Sequence, residues 1–238
     1  MHRRVKTAAC AERNGQMASK NHYFIDCGGH DGCSVVKFLD QRPGYKCISF
    51  EPNPAFSSLY AWLPTTLMRK AVSTYDGTVS FTVDPQDGDG SSIVADKSVV
   101  WDGSMSNADC PTVTVECVDL SAFIARTVRP EDYLCLKVDV EGAEYEIFPK
   151  MLRDGTISLV DELYAEFHWH KCGVSQEQHD ELVRQLEQYL PLRDWDARTH
   201  AVHGLGYKRY LRRAVYLARI WPMQFLAHPD PAPVAHTS

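Results

Sequence analysis

Short apolar runs that stop at an acid or a glycine recur along this chain, and their spacing predicts its architecture. Tyr23–Cys27 contains the first acid, Asp26, and runs into Gly28, Gly29 and Gly32. Lys46–Phe50 ends on Glu51, Leu67–Val72 follows as a third strand, and Tyr133–Val138 ends on Asp139. Leu159–Phe167 is the fifth run and carries Glu166 at its end. Runs of this length, bounded by turn residues, read as buried strands. Between them the period changes to that of helices: Ser34–Leu39, closed by Arg42-Pro43-Gly44, then Pro54–Trp62, Leu120–Thr127, Gly142–Leu152 and the charged, amphipathic Gln176–Tyr189. Strands alternating with helices predict a largely parallel sheet.

Two segments break the alternation. Thr78–Val83, after the Asp76-Gly77 turn, and Thr112–Val118 both show period two and suit an antiparallel pair. The Asp-, Gly- and Ser-rich stretch between them, residues 84–111, is long for a connection inside a compact domain and reads as a flap or lid, or else as disordered chain. Ala214–Ile220 reads as a final strand, although the basic approach Lys208–Arg213 suits a helix equally. The domain is expected over 22–222, with a disordered leader at 1–21 and a disordered tail at 223–238.

Composition narrows the function. The chain has 238 residues, a formal net charge of −6 and 44% hydrophobic residues. That is enough apolar material for one domain with additions. An acidic balance argues against nucleic acid as the main partner, since phosphate binding needs a basic footprint. No stretch approaches the roughly 18 apolar residues of an integral membrane helix. Eight cysteines without a C-x-x-C pair read as reduced thiols in a cytoplasmic protein.

The chemistry concentrates at the predicted strand ends. Gly28 and Gly32 let the backbone approach a ligand, and Glu51, nineteen residues past Gly32, is placed to accept ribose hydroxyls. Asp26 reads as an acid near the ligand or as a cap for the next helix. Asp139 and Glu141 end the fourth strand; Glu166 and His168, two apart, end the fifth and share a face if the strand continues.

In this order, Asp26-x-Gly28-x-x-x-Gly32, Phe50-Glu51-Pro52-Asn53-Pro54, Ser91-Ser92, Lys137-Val138-Asp139-Val140-Glu141-Gly142-Ala143-Glu144 and Glu166-Phe167-His168 resemble the FkbM-type family of S-adenosylmethionine-dependent methyltransferases. The resemblance covers about His22 to His170, with Gly29 and His30 standing where the family often has Ala and Asn. It implies a Rossmann-like class I methyltransferase fold, a mostly parallel seven-stranded sheet with helices on both faces and one antiparallel strand near the end. It further implies S-adenosyl-L-methionine as cofactor, held by Asp26, Gly28, Gly32, Glu51 and Asn53. The acceptor implied is a small molecule or glycan, a sugar or natural-product hydroxyl, met by Ser92 and Glu141.

A hydroxyl needs help to lose its proton. His168 is the expected general base, with Asp139 or Glu166 orienting it or the substrate; the other reading places His168 in an aromatic cluster with Trp169 and His170. Asp139, Glu141 and His168 also have the composition of a magnesium or manganese site, but their spacing does not demand one and no metal is assigned. Trp101 in the flap is a candidate for stacking on a sugar ring. The basic run 208–213 reads as a solvated face or as a contact for an anionic substrate. Two competing functions use the same donor half: an NAD-dependent oxidoreductase, although the full Gly-x-Gly-x-x-Gly is missing, and a non-catalytic S-adenosylmethionine-binding subunit.

Overall fold

The computed structural model describes residues 20–86, 88–98, 105–193, 195 and 207–226. In chain order the strands are β1 His22–Cys27, β2 Lys46–Phe50, β3 Thr65–Met68, β4 Ala71–Ser73, β5 Gly77–Thr82, β6 Thr112–Asp119, β7 Tyr133–Val138, β8 Glu162–Ala165 and β9 Leu192–Arg193. The α-helices are α1 Cys33–Gln41, α2 Leu120–Thr127, α3 Glu144–Asp154, α4 Gln176–Glu187 and α5 Tyr207–Leu226.

The main sheet has six strands in the order β3-β2-β1-β7-β8-β9, and every pairing in it is parallel. β4, β6 and β5 form a second, three-stranded sheet in which β5 and β6 run antiparallel, as their period-two patterns predict. The expected seven-stranded sheet is thus a six-stranded one, and among the described residues no antiparallel strand joins it near the end of the chain. The run expected as one strand over Leu67–Val72 is divided: Met68 ends β3 and Ala71 begins β4, one in each sheet. The fifth strand is shorter than Leu159–Phe167, because Thr156–Leu159 closes into a 3-10 turn before Glu162. Pro54–Tyr60 is a 3-10 helix capped by Asn53, whose side chain accepts from the Ala55 amide.

Ala214–Ile220 is not a strand. It lies inside α5, which packs on α1 with Ile220 fully buried. The alternation of Val215 and Leu217 with Tyr216 and Ala218 was coincidental, whereas Arg213 and Ile220 stand seven residues apart, a helical spacing that brings both to the buried side. Met223–Leu226, expected in the tail, continue this helix. Asn21, expected in the leader, is already tied to the sheet: its amide donates to Asp132 at 2.8 Å and its carbonyl accepts from Tyr133. Trp101 lies outside the described residues, as do 1–19 and 227–238.

Alternation along the strands builds two cores. Ile25, Cys27, Leu134, Leu136 and Val138 face α2, α3 and α4, while Phe24, Cys47 and Cys135 face α1 and α5. The seven described cysteines are all free thiols. Among the described residues no helix is long and apolar enough to cross a membrane. The order of the main sheet reverses at β1, so its topological switch point lies between β1 and β7, where open α/β sheets hold their ligands.

Candidate active site

A cleft opens above the carboxyl ends of β1, β2 and β7. Gly28, His30, Glu51 and Pro52 line one wall, Asp139–Glu141 the floor, and Lys70–Val72, Phe81, Gly88, Asp89, Ser91 and Ile93 the other wall. Part of the 84–111 stretch therefore does border the cleft. It is pinned there: Ser92 pairs with Thr82 through backbone hydrogen bonds at 2.8 and 3.0 Å.

The first loop fixes the near wall. Gly28 and Gly29 both donate to the Phe50 carbonyl, at 3.1 and 3.0 Å. Gly28 has φ 78°, and a Cβ there would overlap the Asp139 carbonyl oxygen, so only glycine fits between β1 and β7. Glu51 is 6% exposed. One of its oxygens accepts from the His30 amide and the other from the Asn53 amide, each at 2.7 Å. Burial pushes its carboxyl up to about 7, against the pull of those two amides. Each oxygen keeps a further lone pair, so the carboxylate can still receive two hydroxyl donors from the cleft.

Asp26, Gly32 and Asn53, also expected at the cofactor, are not among the residues lining this cleft. Asp26 is fully buried, and its register partner on β7 is Lys137. Side chains of registered neighbours share a face, which places the Lys137 ammonium 3.3 Å from Asp26 and 3.2 Å from Asp139. The ammonium also donates to the Gly28 carbonyl at 3.0 Å. Asp26 therefore neither caps α1 nor lines the cleft; it anchors a lysine that supports the glycine loop. Burial raises its carboxyl despite the paired lysine. For Lys137, burial opposes the charge but Asp139 and Asp26 outweigh it, holding the ammonium above its ordinary value. Gly32 is the left-handed N-cap of α1 and packs against Leu63 and Arg213, behind the cleft. Asn53 shapes the pocket indirectly, through its amide on Glu51 and its cap of the 3-10 helix.

Beyond Asp139 the chain makes a strained turn. Glu141 has φ 55°, a left-handed conformation that costs a non-glycine residue of order 1–3 kcal/mol. Two side chains hold it. Ser92, expected at the acceptor, instead donates its hydroxyl to the Glu141 carbonyl at 2.7 Å and accepts from the Val94 amide at 3.0 Å. Glu144 accepts from the Val140 and Gly142 amides at 2.9 and 2.8 Å.

His168 sits at the centre of the acidic end. Its Nδ1 is 3.2 Å from Glu144, and its Nε2 is 3.1 Å from Glu141, 3.8 Å from Glu166 and 3.9 Å from Asp139. β8 ends at Ala165, so this convergence comes from the turn leading to Trp169–Lys171 rather than from strand alternation. Burial disfavours the imidazolium, but Glu141 and Glu144 outweigh it and raise its pKa to about 10. At neutral pH the ring already carries its proton, which argues against the expected role of resting general base. Glu141 is driven upward by burial yet held at about 2 by His168, Lys97 and Lys171. Glu166 is 54% exposed at its side chain, and its carboxyl is raised by burial and by Asp139.

Asp139, Glu141 and His168 place one donor atom each within 4.8 Å of one another, a spacing that a cation could use. Glu141, however, already pairs with Lys97 at 2.8 Å and Lys171 at 3.0 Å. Lys97, Lys137, Lys171 and the imidazolium compensate the acids without a metal.

Reading by residue type missed Lys97 and Lys137 and gave Glu144 no role. Lys137 and Glu144 stand inside the Lys-x-Asp-x-Glu-Gly-Ala-Glu motif; Lys137 was findable as the cross-strand neighbour of Asp26. Nothing local marks Lys97, which is buried where it donates to the Gly90 carbonyl and pairs with Glu141.

A parallel sheet with a glycine loop at its switch point and acids closing β2 and β7 has the layout of a Rossmann-like class I methyltransferase. Residues 26–197 match the family model described as the Methyltransferase FkbM domain, and the chain belongs to that family of methyltransferases. No curated protein matches the chain. Among solved structures, a xanthine dehydrogenase from Bacillus halodurans aligns at 13% identity and a TM-score of 0.32, over 87% of this chain and 47% of that one. At that score the likeness carries no argument.

Proposed function

We propose that the protein transfers the methyl group of S-adenosyl-L-methionine to a hydroxyl of a sugar, glycan or natural-product acceptor. The observation that carries this reading is Glu51: a buried carboxylate, fixed by two backbone amides, on the wall of a cleft beside Gly28. The donor set fits the cofactor. Glu51 would receive the ribose hydroxyls, Val72, Phe81 and Ile93 offer apolar surface to a base, and the absent side chain of Gly28 permits close approach.

When bound, the cofactor supplies an electrophilic methyl carbon on a sulfonium. What remains for the protein is alignment and proton removal. Orientation alone contributes about 7–11 kcal/mol in favourable cases. Asp139 and Glu141 border the cleft floor, where an acceptor hydroxyl would meet them. We assign proton acceptance to Asp139 or Glu166. Glu166 is half-exposed, and burial and the neighbouring Asp139 raise its carboxyl above the ordinary value, which makes it a better proton acceptor. His168 serves as the fixed positive centre that keeps these carboxylates together while the hydroxyl's proton leaves.

Incubation of the purified protein with methyl-labelled cofactor and a panel of sugars, glycans and polyketide-like alcohols tests the proposal. Label should appear as an O-methyl ether on a hydroxylated acceptor. Label found solely on amines or carboxylates would overturn the hydroxyl assignment.

A further inference from the structure

The cofactor loop is held from two sides. On the cleft side Glu51 accepts from the His30 amide. On the far side Arg213 of α5 donates from its guanidinium to the Asp31 carbonyl. Arg213 is 6% exposed. Arginine is rarely buried unless it is paired, and this one spends its charge on a backbone carbonyl. Its Nε has no hydrogen-bond partner among the described residues. The same guanidinium lies 3.1 Å from the point where a Cβ on Gly32 would stand. The loop it touches contains left-handed His30 (φ 47°), a conformation that a non-glycine residue keeps only when the surroundings enforce it. α5 also lies beyond residues 26–197, which match the family domain. The brace is thus supplied from outside that domain.

We propose that Arg213 is a positioning residue for cofactor binding: by fixing the Asp31 carbonyl from behind, it sets the His30 amide that orients the Glu51 carboxylate. This rests on the reading of Glu51 as the ribose acceptor. Arg213 touches neither cofactor nor acceptor. Its effect is on donor affinity, through the loop whose Asp31 carbonyl it holds.

Calorimetry with S-adenosylhomocysteine and amide hydrogen exchange on the full chain test this, comparing wild type, R213M, R213K and I220A. Ile220 is fully buried on the same helix, so I220A loosens the packing of α5 without removing the contact to Asp31. R213M is expected to bind roughly tenfold or more weakly, the worth of one charged hydrogen bond, and to exchange faster at Gly28–Cys33. R213K should recover most of both losses, and I220A should bind within about twofold of wild type. Should R213M not fold, R213Q replaces it with the same expectation. The proposal is overturned if R213M binds like wild type, if R213K is no better than R213M, or if I220A weakens binding as much. A wild-type chain that binds no S-adenosylhomocysteine would overturn the cofactor reading instead, while unchanged exchange at Gly28–Cys33 in R213M would remove the brace whether or not ligand binds.

Discussion

The proposed role of Glu51 makes donor binding sensitive to pH, with a calculable sign. Its carboxyl is lifted from an ordinary 4.5 to about 7, chiefly by burial. That lift corresponds to roughly 3 kcal/mol between the two protonation states. The folded, ligand-free protein therefore prefers the protonated acid. This contribution to stability is full below pH 4.5 and is lost as pH rises from there through about 7. Ribose hydroxyls donate to the ionised form, so ligand favours the opposite state. Affinity for S-adenosylhomocysteine should rise toward a tenfold gain per pH unit below 7 and flatten above it. Calorimetry at pH 5.5, 6.5, 7.5 and 8.5 reads this, with Glu51→Gln as the control that subtracts every other titration. The variant should lose the slope and bind about 10–100-fold more weakly at pH 8, since hydrogen bonds to a charged group are worth about 1.5–3 kcal/mol. Equal slopes in wild type and variant, or equal affinities at pH 8, would refute the reasoning.

Three further outcomes follow from the geometry. His168 is held above its ordinary 6.5, so its contribution to stability is full below pH 6.5 and is lost as pH rises through about 10. His168→Gln should destabilise by about 3–5 kcal/mol at pH 7, the usual cost of stranding one side of a buried ion pair; denaturant titration at pH 7 and pH 10.5 should show that penalty shrinking at the higher pH. Gly28→Ala, which meets the Asp139 carbonyl at a left-handed φ, should cost more than about 3 kcal/mol and abolish donor binding, read by thermal melts with and without S-adenosylhomocysteine. Exhaustive chelation should leave methyl transfer unchanged because lysines already satisfy Glu141; loss of activity restored by magnesium or manganese would instead place a cation at Asp139, Glu141 and His168.

Much of the donor half was legible in the sequence because it depends on backbone geometry. Gly28 must be glycine where β1 passes β7, and Glu51 closes a strand whose apolar run is plain, so spacing alone placed both on one cleft. The acceptor half was less legible because it depends on tertiary pairing. Ser92 reads as a substrate contact until the flap is seen folded back, where its hydroxyl instead braces Glu141. His168 reads as a base until its two nitrogens are seen between Glu141 and Glu144. The α5 helix was misread for a different reason: Val215 to Ala218 alternate in polarity over too few residues to separate period two from period 3.6. Arg213 could not have been found by pattern, since its carbonyl partner 182 residues away leaves no trace in composition.

The most direct test is a crystal structure with S-adenosylhomocysteine bound. The account predicts both ribose hydroxyls within hydrogen-bond distance of the Glu51 carboxylate, the chain passing Gly28, and the sulfur facing Asp139 to Glu141. A nucleoside bound elsewhere, or one whose ribose turns away from Glu51, would contradict it.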